Sequence, residues 1–525
     1  MPTDEGRRAY ARMVDDQRRR TFYRHPYANR FLEAGDIDGW IDDLVAAVDN
    51  GRFVPGAAPA IEMPKANFHI RPGLLLSLED QFVYHLLAMR AAEVIAPQIE
   101  WSARTKRFSH RLAPGGSRSW FDSIFKGWRN FTRVSLGRIN GQDATATHVL
   151  VTDIAGFYEN IDIGRLVQEL RAAGVADYVT TLLSTLWNKW CGVRRRGIPQ
   201  GLSPSDLFAE FFMNAVDEML SAQGLDYIRY SDDIRIFVSS ERSGRVAQQT
   251  LERVLRDRGL NPQTAKTMLQ DAASAAAAFD QVPQALSAIS QTMARELREV
   301  SAITGEYLDP AELIRVLRVD SDRPSKEVVE RAWQGFVDGE FGEFNKTVFH
   351  YLLARLADMG SGAAQGFCVD LVESRPEETG EIVEYLAKVS PSLDAATVDR
   401  LVELVVDEER LLFVHQRYRL LQWFLDHSVI HDSLLDRARF HSTGAMRSVL
   451  LPYWIAYVGE VSDSPGDFAR LEAALGNETD SVSRATYLYA LRRAPAVDRD
   501  LLYSRCRGEA RIVDGAIALA RASAP

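Results

Sequence analysis

The 525-residue chain is poor in cysteine and has no long apolar run. Its three cysteines, Cys191, Cys368 and Cys506, lie far apart, which gives neither a disulfide framework nor a zinc-binding spacing. The longest apolar stretch, 449-VLLPYWIAYV-458, contains a proline and falls short of the ~20 residues that span a bilayer. The first residues, 1-MPTDEGRRAYARMVDDQRRR-20, hold no apolar core and do not read as a signal peptide. A cytoplasmic protein with no membrane partner is the expectation. Basic residues are in deficit in one half only. Residues 1–270 hold 35 basic and 32 acidic side chains, and residues 271–525 hold 27 and 40, so the net charge of −10 resides in the C-terminal half.

What is present is the composition of a globular protein, 46% apolar and 26% charged, at a length that calls for two or more domains. Residues 1–60 read as an N-terminal helical segment that ends in the loop 50-NGRFVPGAAPA-60. From 61 to 270 strands and helices mix. The β-branched run 147-THVLVTDI-154 is a buried strand, and 163-IGRLVQELRAAG-174 is an amphipathic helix closed by glycine. The turn-rich 197-GIPQGLSPSD-206 leads into an apolar helix at 207–220, and two strands follow within 226-DYIRYSDDIRIFVSS-240. Residues 271–325 read as a helical, thumb-like connector that opens on the alanine-rich 272–290. Residues 326–525 read as helices of 10–16 residues with short breaks. Arg419, Arg447 and Arg484 each precede an apolar stripe, at spacings of 28 and 37, which suggests a degenerate HEAT-like stack; a non-repetitive bundle is the alternative. The fold class is thus α+β followed by an all-α region.

The block 101–140 carries nine basic residues and one acidic residue, interleaved with Trp101, Phe108, Trp120, Phe121, Phe125, Trp128 and Phe131. Such interleaving suits a phosphate backbone with stacked bases, and it suits a solvated charged face equally. Arg104, Lys106, Arg107, Arg111, Arg118 and Arg129 are the candidate contacts, joined by Arg194 and Arg195 in the triplet 194–196.

Asp232 and Asp233 sit at the bend between two strands. Adjacent carboxylates on a rigid bend repel unless a cation lies between them, and hard divalent cations take carboxylate oxygens. A third carboxylate should arrive from elsewhere, and Asp153, after the buried strand, is the candidate. One Asp after one strand and an Asp pair on a hairpin suit a two-metal site for in-line phosphoryl transfer.

The strings 153-DIAGFY-158, 197-GIPQGLSPS-205 and 230-YSDD-233 resemble motifs A, B and C of a reverse transcriptase, in order. Downstream, 260-LNPQTAKT-267 resembles motif D, and upstream 63-MPKANFHIRP-72 resembles the fingers motif. The resemblance spans about residues 61–270 and implies a right-hand polymerase of fingers and palm. It implies that Asp153, Asp232, Asp233 and the carbonyl of Ile154 hold two Mg²⁺, with Mn²⁺ as a substitute. Tyr158 corresponds to the steric gate that favours deoxynucleotides. Pro199, Gln200 and Gly201 correspond to the loop lining the incoming nucleotide. Lys65 and Arg71 correspond to fingers residues that grip the triphosphate, and Lys266 to the group that neutralises pyrophosphate or donates a proton to it. The implied partners are dNTPs and RNA or DNA.

No later carboxylate cluster has the look of an RNase H domain, and no Cys/His cluster that of an HNH nuclease. The string 214-NAVDE-218 lacks the histidine of retron enzymes. A polymerase unit followed by a long acidic helical region is similar to the abortive-infection and defence-associated reverse transcriptases. That resemblance implies antiphage defence, a homo-oligomer, and DNA synthesis that is untemplated or primed from a protein hydroxyl, with nine tyrosines after residue 300 as candidates. The alternatives are an RNA-templated enzyme of retron, group II-like or CRISPR-associated type, and a nucleic-acid-binding scaffold with a vestigial site.

Overall fold

The computed structural model describes residues 4–20, 23–103, 105–141, 146–191, 196–279, 326–340, 344–443 and 448–523. The chain divides into two compact units. The first comprises residues 1–24, 36–61 and 72–280, and the second comprises 25–35, 62–71 and 281–525. The connector expected at 271–325 is described only as the helix Ala272–Phe279; the rest of it lies outside the described residues.

The first unit is built on an antiparallel sheet in the order β4-β5-β3-β6, from Tyr227–Tyr230, Asp233–Val238, His148–Thr152 and Met268–Asp271. β3 is central and nearly continuous in apolar residues because both of its faces are covered. On one face, helices α5 (Ile124–Asn140) and α11 (Ala272–Phe279) close over Val149, Ile228 and Phe237. On the other, α10 (Glu241–Asp257) packs against β3 and β5, and Gly244 lets its backbone approach the Leu269 side chain of β6.

Beside the sheet lie α4 (Leu78–Ala103) and α9 (Ser203–Ala222), packed on each other. Most residues of α9, and those of α4 from Phe82 to Met89, are buried, so their polar side chains need partners within the core. The first turn of α9 is closed from α1 (Asp4–Arg20). The Asp16 carboxylate accepts from the Ser203 amide at 2.8 Å and its hydroxyl at 2.6 Å. This meets amide groups that a helix start leaves without partners. A separate two-stranded hairpin pairs β1 (Ala60–Pro64) with β2 (Ile70–Leu74).

The second unit is almost entirely helical. Helices 346–358, 379–389, 414–426, 451–461, 481–490 and 511–522 each pack on the next. A second row runs alongside through 365–374, 395–406 and 432–441. The helix α2 (Ala28–Ala34) belongs to this unit and lies on 511–522. There Tyr27 and Phe31 pack their rings on Tyr489 at 4.9 and 5.5 Å, and the Tyr27 hydroxyl donates to Glu460 at 2.7 Å.

Candidate active site

The β4–β5 hairpin pairs Tyr230 with Asp233, which leaves Ser231 and Asp232 as a two-residue loop. Ser231 has φ of +55°, in the left-handed region where glycine is usual at the first loop position of such hairpins. The strain is held by two bonds. The Ser231 amide donates to Ser109 Oγ at 2.7 Å, and its carbonyl accepts from Arg229 Nη1 at 3.2 Å. Strain that persists against such bonds is a mark of functional sites.

β3 pairs Thr152 with Ile234, so Asp153 emerges beside the start of β5. Its carboxyl faces that of Asp232 closely enough to act on it electrostatically. Burial, and then the charge of Asp153, push the Asp232 carboxyl up to about 7. Burial raises Asp233 as well, against the pull of Arg235. Lys266 Nζ lies 2.5 Å from Asp153 Oδ2, and that bond raises the lysine. Among the described residues, no three His, Cys, Asp or Glu side chains are gathered as a ready-made metal cluster. The donor chemistry nevertheless fits a hard cation: Asp153 faces the half-buried Asp232 and acts on Asp233 beside it, and one lysine balances them. Ile154 is paired with Pro262 by bonds that use the Asp153 carbonyl and the Ala155 amide, which leaves the Ile154 carbonyl out of the bridge.

Tyr158 follows in α6 (Phe157–Asn160), and its carbonyl accepts from the Ile198 amide at 3.0 Å. The Gly197 amide bonds Ile161 at 2.8 Å. These bonds bring the 197–201 turn against the segment that carries Tyr158. Pro199 is buried, and Gln200 and Gly201 are half-buried. At Gly197, φ of +94° and a Glu159 carbonyl 3.2 Å from where a Cβ would stand both call for glycine.

The basic candidates are scattered. Arg118 and Arg129 are exposed, and Arg111 is half-buried. Lys106 places its ammonium 4.8 Å over the Tyr227 ring. Arg107 is a correction: it is fully buried, so it cannot meet nucleic acid. It donates to the carbonyls of Ser109 and His110 at 2.5 and 2.9 Å and faces Glu210. Of the interleaved aromatics, Phe108, Trp120, Phe121 and Phe131 are core, while Trp101 and Trp128 are exposed by 42% and 44%. Arg104, Arg194 and Arg195 lie outside the described residues. Lys65 and Arg71 flank the tip of the β1–β2 hairpin, within the stretch 62–71 that groups with the second unit, where that tip packs on Pro376–Glu378.

Sequence reasoning missed a buried polar network behind the hairpin. Arg229 sends Nε and Nη2 to Asp217 and Nη1 to Glu210 at 2.5 Å. Burial disfavours both the Arg229 cation and the Glu210 carboxylate, yet Asp217 and then Glu210 raise Arg229, while Arg229 and then Arg107 lower Glu210. Glu210 Oε1 also accepts from Ser109 Oγ at 2.5 Å and meets His110 Nδ1 at 2.9 Å. One signal was readable: Glu210 and Asp217 stand seven apart, on one face of a helix rich in apolar residues, where a polar residue needs a buried partner.

Residues 89–288 match the family model of reverse transcriptase (RNA-dependent DNA polymerase). This segment belongs to the reverse transcriptase family. It contains Asp153, Tyr158, the 197–201 turn, the 230–233 hairpin and Lys266, and it begins after Lys65 and Arg71. Catalysis dependent on divalent metal is general to reverse transcriptases, and their partners are nucleotides and a nucleic-acid template. No curated protein matches the chain. Among solved structures, telomerase from Candida albicans, in complex with a fragment of telomeric RNA, matches at 10% identity and a TM-score of 0.30, covering 73% of this chain and 66% of that one. The chain thus spans about two thirds of that telomerase chain's length. Apo telomerase from Candida tropicalis matches at 9% identity and a TM-score of 0.30, covering 85% and 73%. Among the described residues, no helix is long and apolar enough to cross a membrane.

Proposed function

We propose that this protein is a Mg²⁺-dependent DNA polymerase of the reverse transcriptase type that acts in antiphage defence. The observation that carries the polymerase reading is the meeting of Asp153 with the Asp232–Asp233 turn, inside a segment that matches the reverse transcriptase family.

Asp153, Asp232, Asp233 and the Ile154 carbonyl would hold the metal. Two bound Mg²⁺ supply activation of the attacking hydroxyl and relief of the charge that builds on phosphate. The chain's own groups do the rest. The buried hairpin holds its two carboxylates in place without reorganisation, as catalysis by fixed charges requires. Tyr158, at the position matching the steric gate, would close the space that a 2′-hydroxyl needs. Pro199, Gln200 and Gly201 line the base and sugar. Lys266, already drawn in by Asp153, balances charge on the departing pyrophosphate.

The defence role rests on the pairing of this domain with an acidic helical unit. Its two rows of successively packed helices support a HEAT-like solenoid, and its charge points to a protein partner or a second copy of the chain rather than to free nucleic acid. Priming from a tail tyrosine is narrowed by burial. Tyr385, Tyr457, Tyr487 and Tyr503 donate their hydroxyls to backbone carbonyls, so use of any of them requires the helices to open. Tyr351 is half-buried, and Tyr307 lies outside the described residues.

The test is incorporation of labelled dNTPs by the full chain with Mg²⁺, with and without a template–primer, alongside plaque counts in phage-challenged cells. The double substitution Asp232→Asn/Asp233→Asn should abolish both synthesis and protection. Protection that survives in the double variant would reject a defence role through synthesis, and a wild type that incorporates no nucleotide would reject the polymerase.

A further inference from the structure

The Tyr158 hydroxyl donates to Asp206 Oδ1 at 2.5 Å. Asp206 stands in the first turn of α9 and is only 3% exposed, while the tyrosine itself is half-buried. His110 lies behind the carboxylate, with Nε2 3.6 Å from Asp206 Oδ2 and Nδ1 2.9 Å from Glu210 Oε1. Glu210 in turn holds Ser109, whose hydroxyl accepts the Ser231 amide of the hairpin turn. One buried chain of polar contacts therefore runs from the ring at residue 158 to the turn that carries Asp232 and Asp233. Its members come from α6, α9, the 109–110 loop and the hairpin, so it fixes these elements relative to each other.

A ring that excludes a 2′-hydroxyl by bulk does so only while it stays in place. Rotation about the Tyr158 side-chain bonds would open the space it fills, and a hydrogen bond to a buried carboxylate opposes that rotation. We propose that Asp206 is a specificity-setting positioning residue: by anchoring the Tyr158 hydroxyl it immobilises the ring that tells deoxynucleotides from ribonucleotides. This rests on the polymerase reading above and goes beyond it. Bulk alone would make phenylalanine as good as tyrosine at 158; an anchored ring makes the hydroxyl itself part of the selection.

The experiment measures the preference for dTTP over ribothymidine triphosphate, as a ratio of kcat/KM, on an oligo(dT)-primed poly(rA) template with the full chain and Mg²⁺. Tyr158→Phe keeps the ring and removes only the donor, and Asp206→Ala removes the acceptor. Each should lower the ratio by about tenfold, the scale of one hydrogen bond to a charged group. The two together should lower it no further than either alone, because they remove one interaction. Asp206→Asn keeps an acceptor oxygen and should restore most of the preference. A general loss of folding would lower both rates and leave their ratio unchanged. The same ratio, read as equilibrium binding of the two nucleotides in Ca²⁺, needs no turnover and decides the anchor separately from the polymerase reading. An unchanged ratio in Tyr158→Phe, or additive losses in the double variant, overturns it.

Discussion

Arginine shows how far a single residue can be read. Arg107 and Arg118 lie in the same basic block, yet one is wholly enclosed and the other exposed. The difference is made by Glu210, a partner 103 positions away, whose carboxylate compensates a buried cation. A count of charges in a window cannot contain that partner. Histidine gives a similar case in the second unit. His25 Nδ1 accepts the Tyr27 amide at 3.2 Å, and Nε2 meets the Thr486 hydroxyl at 3.0 Å, while that hydroxyl also donates to Val482 at 2.8 Å. The ring is therefore neutral, with its proton on Nε2, and burial pushes it down to about 3. The sign follows. Above the unfolded value near 6.5 the residue is neutral in both states; below it only the unfolded chain gains a proton, so stability falls as pH drops toward 3. Denaturant midpoints measured from pH 7 to pH 4 should decline more steeply for the wild type than for His25→Gln. Parallel declines would show that other groups carry the acid sensitivity.

At the scale of elements, the period of apolar residues identified the strands at 147–154 and 226–240 and the helix 163–174, and the structure has them as β3, β4, β5 and Ile163–Ala172. Docking is a different matter. Residues 1–60 read as one helical segment, but nothing local marks 25–35 as the part that joins the second unit. What makes that packing feasible is a pair of glycines. A Cβ on Gly515 would stand 1.9 Å from the Phe31 carbonyl oxygen, and one on Gly35 would stand 2.8 Å from the Gly515 Cα. The two backbones touch, so no side-chain motion can make room. Gly515→Ala should destabilise the second unit by about 1–3 kcal/mol, the usual cost of forcing atoms into a packed site. Denaturant unfolding measures this, and limited proteolysis should show earlier cleavage within 25–35. A neutral result would mean that the helices part without loss.

For the whole molecule, the charge imbalance bears on what each half can bind. The N-terminal half is close to neutral but carries exposed Arg118 and Arg129, whereas the C-terminal half is strongly acidic. Each arginine that neutralises a phosphate releases counterions, so binding to single strands should weaken with salt by about 0.7 log units per tenfold salt for each contact. Arg118→Glu/Arg129→Glu should reduce affinity for a labelled single-stranded 20-mer and flatten the plot of log affinity against log salt. Fluorescence anisotropy at several salt concentrations reads both; an unchanged slope would remove these two residues from the interface.

The order of the motifs, the alternation that makes the strands, the apolar stripes of the helices and the sign of the charge in each half were determined by the sequence alone. These depend on sterics and periodicity among residues close in the chain, and such local rules act before anything folds. Only the tertiary structure decided that Arg107 and Arg229 are enclosed, that Tyr158 is tied to Asp206, and that residues 25–35 join the second unit. Those outcomes hang on pairs tens to hundreds of positions apart. There the cost of burying a charge or closing a backbone contact is settled by whichever partner the fold brings to it.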